Sequence, residues 1–261
     1  MSITTKEAGF CEVSPRQDIY QHMEATVDVD PLLVDRALKV HTEGYLSMNF
    51  VGPDAVGSDG YLVEGVDKSR RPNTLYYLAL NPNQAEDAAT MRKVSLSTGE
   101  TYTNLPTFDT CSQSLTREGM RLLEETPVSQ LKEIAGLART RAADPSSVYE
   151  IIRNAIHRAV GHNEIWFFGI VSTTYESLVK RLGTKNLQVI GEDVPINDSR
   201  VNPDIKLRPT IVRPDEFVLN IFREYVESSE YREKVRFLKT FQYFSEGLDV
   251  GNMLGVKPLR P

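Results

Sequence analysis

The sequence predicts an α/β protein: a mixed sheet flanked by helices, followed by a helical extension. Three observations carry this expectation. From Leu131 to Ile196 the chain reads without a break as strand, basic turn, amphipathic helix, buried strand, second helix and final strand. Inside that run, Ile165-Trp-Phe-Phe-Gly-Ile-Val171 is apolar at nearly every position, as a strand covered on both faces is. The helix that follows closes at Gly183, a residue suited to the left-handed C-terminal position.

With 261 residues the chain is long enough for one large domain, or a domain with an appended subdomain, around a substantial core. Its 30 Lys and Arg against 36 Asp and Glu leave a formal charge of −6, which argues against a general nucleic-acid binder, because clustered cations make phosphate contacts. No stretch nears the roughly 18 consecutive apolar residues of a membrane-spanning helix. Met1 to Phe10 lacks the charged start and the apolar run of about 7 to 15 residues that mark a secretory signal, so the expected location is the cytoplasm. Cys11 and Cys111 are too few for a disulfide framework and read as inert thiols. Neither they nor His22, His41, His157 and His162 show metal-site spacing, so no metal is expected.

Residues 1–28 show no sustained period and read as an N-terminal arm. Asp30-Pro31 supplies an N-cap and a first-turn proline, and Leu33, Val34, Ala37, Leu38 and His41 recur at helical spacing until Gly44. Residues 49–73, rich in Gly, Pro and Asp, read as a long loop with Tyr61-Leu-Val63 as a short strand. Thr74 to Leu80 and Ala89 to Leu96 have strand composition and form a hairpin through Asn81-Pro82 and an acidic turn. A turn-rich stretch ends near Asp109, Leu115 to Glu125 has a helical look, and Val128 to Ala138 is the next strand, weakened by Gly136.

Ser146 to Val160 gives the clearest helix. Val148, Ile152, Ala155, Ile156 and Ala159 lie on one face, and Ser147 with Glu150 offers a capping box. After the apolar strand, Thr173 and Glu176 offer a second such box, and Tyr175, Leu178, Val179 and Leu182 face one way. Leu187 to Val194 and Lys206 to Val212 read as strands. From Pro214 the chain turns helical, through Phe217, Ile221, Phe222 and Tyr225, then through Val235, Leu238, Phe241 and Leu248 after caps at Ser228 and Ser229.

The turn holding Arg139, Arg141, Ala142, Ala143 and Asp144-Pro145 runs into a helix N-terminus, whose free N–H groups and partial positive charge attract anions. A phosphate suits it. Arg153 and Arg158 either extend that basic surface or are ordinary solvated helix arginines. Trp166, Phe167 and Phe168 alternate across the strand, so they either line an apolar tunnel or pack the core.

The element order from Pro31 to Arg213 resembles the GNAT superfamily of acyl-CoA-dependent transferases, and more narrowly the branch of acyl-homoserine lactone synthases and long-chain N-acyl amino acid synthases. The passage Arg36 to Tyr45 is similar to the branch's helix-to-Gly-Tyr stretch, and Met91-Arg92 falls where those synthases carry a strand arginine. Gln130 to Gly136 is similar to the strand in which a glutamate is followed three positions later by an arginine. Glu133 matches the glutamate, and Gly136 stands in place of the arginine. The loop Arg139 to Asp144 lacks the superfamily's glycine-rich spacing, which leaves room for an acyl carrier protein as donor.

The resemblance implies a GNAT-like, partly split sheet over residues 29–213, with residues 214–261 as a helical extension packed on the same domain. It implies transfer of an acyl chain from acyl-CoA or acyl-phosphopantetheine to the amine of a small acceptor such as an amino acid. No permanently bound cofactor is expected, and oligomeric state is left open. Glu133 is the expected base, its charge disfavoured by apolar neighbours, or else a solvated glutamate paired with Lys132. Tyr175, in the first turn of the helix after the buried strand, either returns a proton to the departing sulfur or is packing. Arg92 holds the acceptor's carboxylate or pairs with Glu86 or Asp87 across the hairpin. Trp166 and Phe168 join Arg92 as the expected acyl and acceptor pocket. Ser172 and Thr173 are expected to be caps rather than nucleophiles. Two rival readings are a catalytically silent acyl-thioester binder or sensor, and a short-chain acetyl-CoA-dependent N-acetyltransferase.

Overall fold

In the computed structural model, residues 20–62, 71–81 and 86–253 are described. In chain order the strands are β1 (Gln21–Ala25), β2 (Thr74–Asn81), β3 (Glu86–Ser95), β4 (Leu131–Arg139), β5 (Ile165–Val171), β6 (Gln188–Val189), β7 (Val194–Pro195) and β8 (Lys206–Val212). The helices are α1 (Pro31–Ser47), α2 (Phe108–Cys111), α3 (Arg117–Glu125), α4 (Ser146–Ala159), α5 (Ser172–Leu182), α6 (Pro214–Glu227), α7 (Tyr231–Ser245) and α8 (Val250–Met253). One sheet runs β1-β2-β3-β4-β5-β8-β6, with β7 also paired to β8. Neighbours are antiparallel except β4 and β5, which are parallel.

One face of this sheet carries Tyr77, Met91, Ile134, Trp166 and Val212, buried under α4, α5, α6 and α7. The other is covered in two parts. α1 packs Val34, Ala37 and Leu38 on Tyr76 and Leu78, while α2 and α3 bring Phe108, Cys111 and Leu123 onto Leu131, Phe167 and Ile211. The C-terminal pair α6 and α7 contributes Phe217, Val218, Ile221, Phe237 and Phe244 to the first core.

Helix α1 begins as its sequence dictates: the Asp30 carboxylate accepts from the Leu33 N–H at 3.0 Å, and Pro31 opens the first turn. It does not end at Gly44. The helix continues to Ser47, and Gly44 faces β4 so closely that a Cβ there would lie 2.8 Å from Ala138 Cβ and 2.9 Å from the Arg139 carbonyl oxygen. The glycine is an inter-element contact, not a terminator.

Several other expectations give way. Gln21–Ala25, expected within the arm, pairs with β2 as the edge strand β1. Glu86 and Asp87 lie in β3 rather than in a turn, and Asp87 accepts from Arg36 on α1 instead of pairing with Arg92. Leu187 to Val194 is not one strand but the two short pieces β6 and β7, both on β8. At the head of α4 the cap is Asp144, whose carboxylate accepts from the Ser146 N–H at 2.7 Å. Ser147 is buried and donates to the Asp144 carbonyl, so the Ser147–Glu150 box does not form. Helix α5 starts at Ser172 without a side-chain cap, and Glu176 pairs with Arg208. Leu62 forms only an isolated bridge with Val56. Cys11, the arm up to residue 19, Val63, the hairpin turn 82–85 and the last residues 254–261 lie outside the described residues.

Candidate active site

β4 and β5 pair only over Leu131↔Ile165, Lys132↔Trp166 and Glu133↔Phe167. Beyond those pairs each strand continues on its own, β4 to Arg139 against β3 and β5 to Val171 against β8. The two strands therefore part into a wedge with Glu133 and Phe167 at its vertex. Along the open part, the backbone groups of β4 and β5 that face the gap have no ladder partner across it.

A bulge at Gly136 shapes the β4 wall. Thr90 pairs with Ala138 and Arg92 with Ala135, so Gly136 and Leu137 stand opposite Met91 alone. Gly136 has φ +60, a left-handed conformation that L side chains adopt at a cost of about 1–2 kcal/mol. The position serves a backbone turn, and a Cβ there would sit 3.4 Å from Arg92 Nε. The bulge keeps Ala138 on the same face as Ala135 and Glu133, the face on which α1 lands.

Glu133 has no exposed surface, and it faces Leu131, Phe167 and Cys111. Thr107, in the segment before α2, supplies two donors: its N–H to Oε2 at 2.9 Å and its hydroxyl to Oε1 at 2.5 Å. Pairing with Lys132 does not occur; that ammonium donates to the Ser129 carbonyl, and burial holds its pKa down. Cys111 is buried nearby, and burial together with the Glu133 charge pushes its thiol up to about 12, far from a thiolate nucleophile.

Arg92, buried and opposite Ala135, shares the face of Glu133 by strand alternation. Trp166 and Phe168 lie on the opposite face. The indole N–H of Trp166 donates to Glu164 at 2.6 Å, Lys93 closes on the same carboxylate at 3.0 Å, and the two aromatic rings are 6.4 Å apart. The expected pocket residues are thus divided by the sheet: Arg92 stands with Glu133, and the aromatic pair stands behind it, in or against the core under α4 and α5. Phe167, not Phe168, lines the Glu133 side.

The loop after β4 is tied to itself. Arg139 donates to the carbonyls of Thr140 at 3.2 Å and Ala143 at 2.8 Å, and the Arg141 N–H reaches Glu43 of α1 at 3.2 Å. A cavity of about 160 Å³ beside it is lined by Tyr20, Glu86, Asp87, Ala142, Ala143 and Asp144. Its carboxylates oppose a phosphate, and the Asp144 carboxylate already takes the Ser146 N–H at the head of α4. Of the two loop arginines, Arg141 is exposed and Arg139 is half-buried. Arg153 is held by Glu246 and Arg158 by Glu24, so both join elements rather than form a free basic surface.

Tyr175 is buried, and its hydroxyl donates to the Leu187 carbonyl at 3.1 Å; burial pushes its pKa up against the opposing pull of Arg208, which stacks on the ring. This geometry ties α5 to the turn before β6. The residue that sequence reasoning missed is Thr107, which sits in an irregular segment with no motif to mark it. Among the described residues no group of His, Cys, Asp and Glu could hold a metal ion, and no helix is long and apolar enough to cross a membrane.

No family model and no curated protein matches the sequence. Solved structures do match. FeeM, an N-acyl amino acid synthase from uncultured soil microbes, superposes with a TM-score of 0.53 at 12% identity, over 77% of this chain and 94% of that one. MesI, a CoA-dependent acyl-homoserine lactone synthase, gives 0.52 at 10% identity over 85% and 94%. BjaI, a CoA-dependent acyl-homoserine lactone synthase solved with SAM and isopentyl-CoA, gives 0.54 at 7% identity over 81% and 91%. The helices on both faces of the sheet and these superpositions together give this chain the fold shared by the N-acyl amino acid synthase FeeM and the acyl-homoserine lactone synthases MesI and BjaI.

Proposed function

We propose that the chain is an N-acyltransferase that moves an acyl group from a CoA or carrier-protein thioester to the amine of a small acceptor. The observation that carries this reading is the wedge between β4 and β5 with a fully buried carboxylate, Glu133, at its vertex. The backbone groups of the wedge left without a ladder partner suit the amide-bearing arm of phosphopantetheine, whose amides would pair with them. The fold's relatives include CoA-dependent synthases, which supports a thioester donor without choosing CoA over a carrier protein.

In the proposed reaction Glu133 takes a proton from the acceptor's ammonium, and the freed amine attacks the thioester carbon. The C–N bond forms as the C–S bond breaks, the thiolate takes one proton, and a second passes to solvent, leaving amide and thiol. Thr107 meets one lone pair on each carboxylate oxygen, and in this reading the acceptor's ammonium approaches the same carboxylate. Arg92, buried on the same face, is the cation this reading assigns to an acceptor carboxylate. Arg141 is the loop cation exposed to a donor phosphate, while Arg139 stiffens the Ala142–Ala143 turn. Tyr175 has no part in protonating sulfur while its hydroxyl is bound to Leu187.

Expression in a heterologous bacterium, lipid extraction and mass spectrometry test the proposal. A new N-acyl product with the native chain that disappears with Glu133→Gln is the expected result, and identical extracts from the two reject it. A silent thioester binder is the second reading, favoured by the sealed state of Glu133. Thioester-dependent stabilisation of the fold without product would select it.

A further inference from the structure

Thr107 does more than fill space beside Glu133. Its backbone N–H and its hydroxyl reach different oxygens of one carboxylate, at 2.9 and 2.5 Å, so the pair fixes the carboxylate plane as well as its place. The methyl group of the same side chain packs against β5, where a Cβ at Gly169 would come within 2.7 Å of Thr107 Cγ2. A single residue therefore touches both strands at the base of the wedge, β4 through hydrogen bonds and β5 through its methyl.

Burial of an ionised carboxylate is unfavourable unless donors replace the lost water. Among the described residues, Cys111 from α2 is coupled electrostatically to Glu133, Arg92 stands on the shared face of β3, and β5 places the apolar Phe167 beside it. The Cys111 thiol stays neutral and Arg92 stays charged across the working pH range. Hydrogen bonding from Thr107 is then the neutral contribution that a single substitution removes.

We propose that Thr107 is a positioning residue that fixes the orientation of the Glu133 carboxylate and favours its ionised state. The inference deepens the acyltransferase reading and rests on it for its catalytic consequence, but the hydrogen-bonding claim is measurable without turnover.

The test uses the full chain labelled with carboxyl-13C glutamate, in which Glu133→Gln identifies the Glu133 resonance by its loss. Thr107→Val keeps the shape and methyl and removes the hydroxyl, and Thr107→Ala removes the hydroxyl without branching at Cβ should the valine variant fail to fold. Thr107→Ser keeps the hydroxyl. We expect the titration of Glu133 to move to higher pH by about one unit or more in the valine or alanine variant, as loss of a hydrogen bond to a charged group requires, and to stay near wild type in the serine variant. The acid limb of the kcat profile moves with it, while KM for the thioester changes less than about threefold. A Glu133 titration unchanged in both hydroxyl-less variants overturns the proposal, whatever the activity. A shifted titration in a protein that forms no N-acyl product upholds the positioning of Glu133 and rejects the acyltransferase reading alone.

Discussion

Gly44→Ala sets two physical effects against each other, and the structure decides the sign. In an exposed helix interior, replacing Gly by Ala stabilises by about 0.8–1.0 kcal/mol, because glycine loses more backbone entropy on folding. Here the new methyl would lie 2.8 Å from Ala138 Cβ, 2.9 Å from the Arg139 carbonyl oxygen and 3.2 Å from the Arg139 nitrogen. These are backbone atoms and a Cβ held in the β3–β4 ladder, not the flexible end of a side chain, so α1 itself must lift. Overpacking of this kind costs about 1–3 kcal/mol, and rigid neighbours place it in the upper half of that range. The net is a loss of about 1–2 kcal/mol, or a fall in Tm of about 2–8 °C for a chain of this size. Calorimetry on wild type and Gly44→Ala measures it, and a rise in Tm would refute the close docking of α1 on β4. Because Ala138 and Arg139 form the open β4 wall, the variant should also lose thioester binding.

Glu133→Gln is nearly isosteric and keeps an acceptor for the Thr107 N–H, so Tm should shift little while turnover falls by about 10²–10⁴, the usual contribution of a positioned general base. Tyr175→Phe should leave turnover within about twofold and cost about 0.5–1.5 kcal/mol, the loss of the Leu187 hydrogen bond; a collapse of kcat at unchanged stability would restore the tyrosine as the acid. His157 joins α4 to α7 through Nε2 to the Phe244 carbonyl at 2.7 Å, and burial lowers its pKa below the ordinary 6.5. The unfolded chain therefore binds the proton more readily, and stability that is present above about pH 6.5 is lost as pH falls through the window down to the folded value. Tm against pH for wild type and His157→Gln should differ in slope below that point, and parallel curves would reject the linkage.

The parts of the fold legible in the sequence are those governed by local pattern. The apolar run of β5 appeared within its structural bounds, as did Lys206–Val212, and Asp30-Pro31 placed the start of α1. Pattern failed where a tertiary contact overrode it. Gly44 looked like a helix end because glycine usually is one, and only the approach of β4 explains its place inside the helix. Gly136 looked like a weakness in a strand and a lost arginine, whereas it supplies the positive φ of a bulge. β1 has mixed polar composition at a sheet edge, so no alternation announced it.

For the site, Glu133 and Arg92 were legible through their places on neighbouring strands, and the structure puts them on one face. Trp166 and Phe168 carried the right composition but the wrong parity, since alternation sends them behind the sheet. Arg139, Arg153 and Arg158 were legible as cations and not as partners of Ala143, Glu246 and Glu24, contacts that only the assembled fold creates. Thr107 reaches Glu133 from an irregular segment far away in sequence, which no spacing rule anticipates.

The central claim is that an acyl thioester lies between β4 and β5 above Glu133. Hydrogen exchange read by NMR, with and without a nonreactive acyl-CoA or acyl-pantetheine analogue, tests it residue by residue. The account predicts slowed exchange of alternate amides in Ala135–Arg139 and Phe168–Val171 that face the gap, with the paired vertex at Leu131–Glu133 unchanged. Saturating analogue that leaves both walls unprotected, or protects only the cavity beside Asp144, would contradict it.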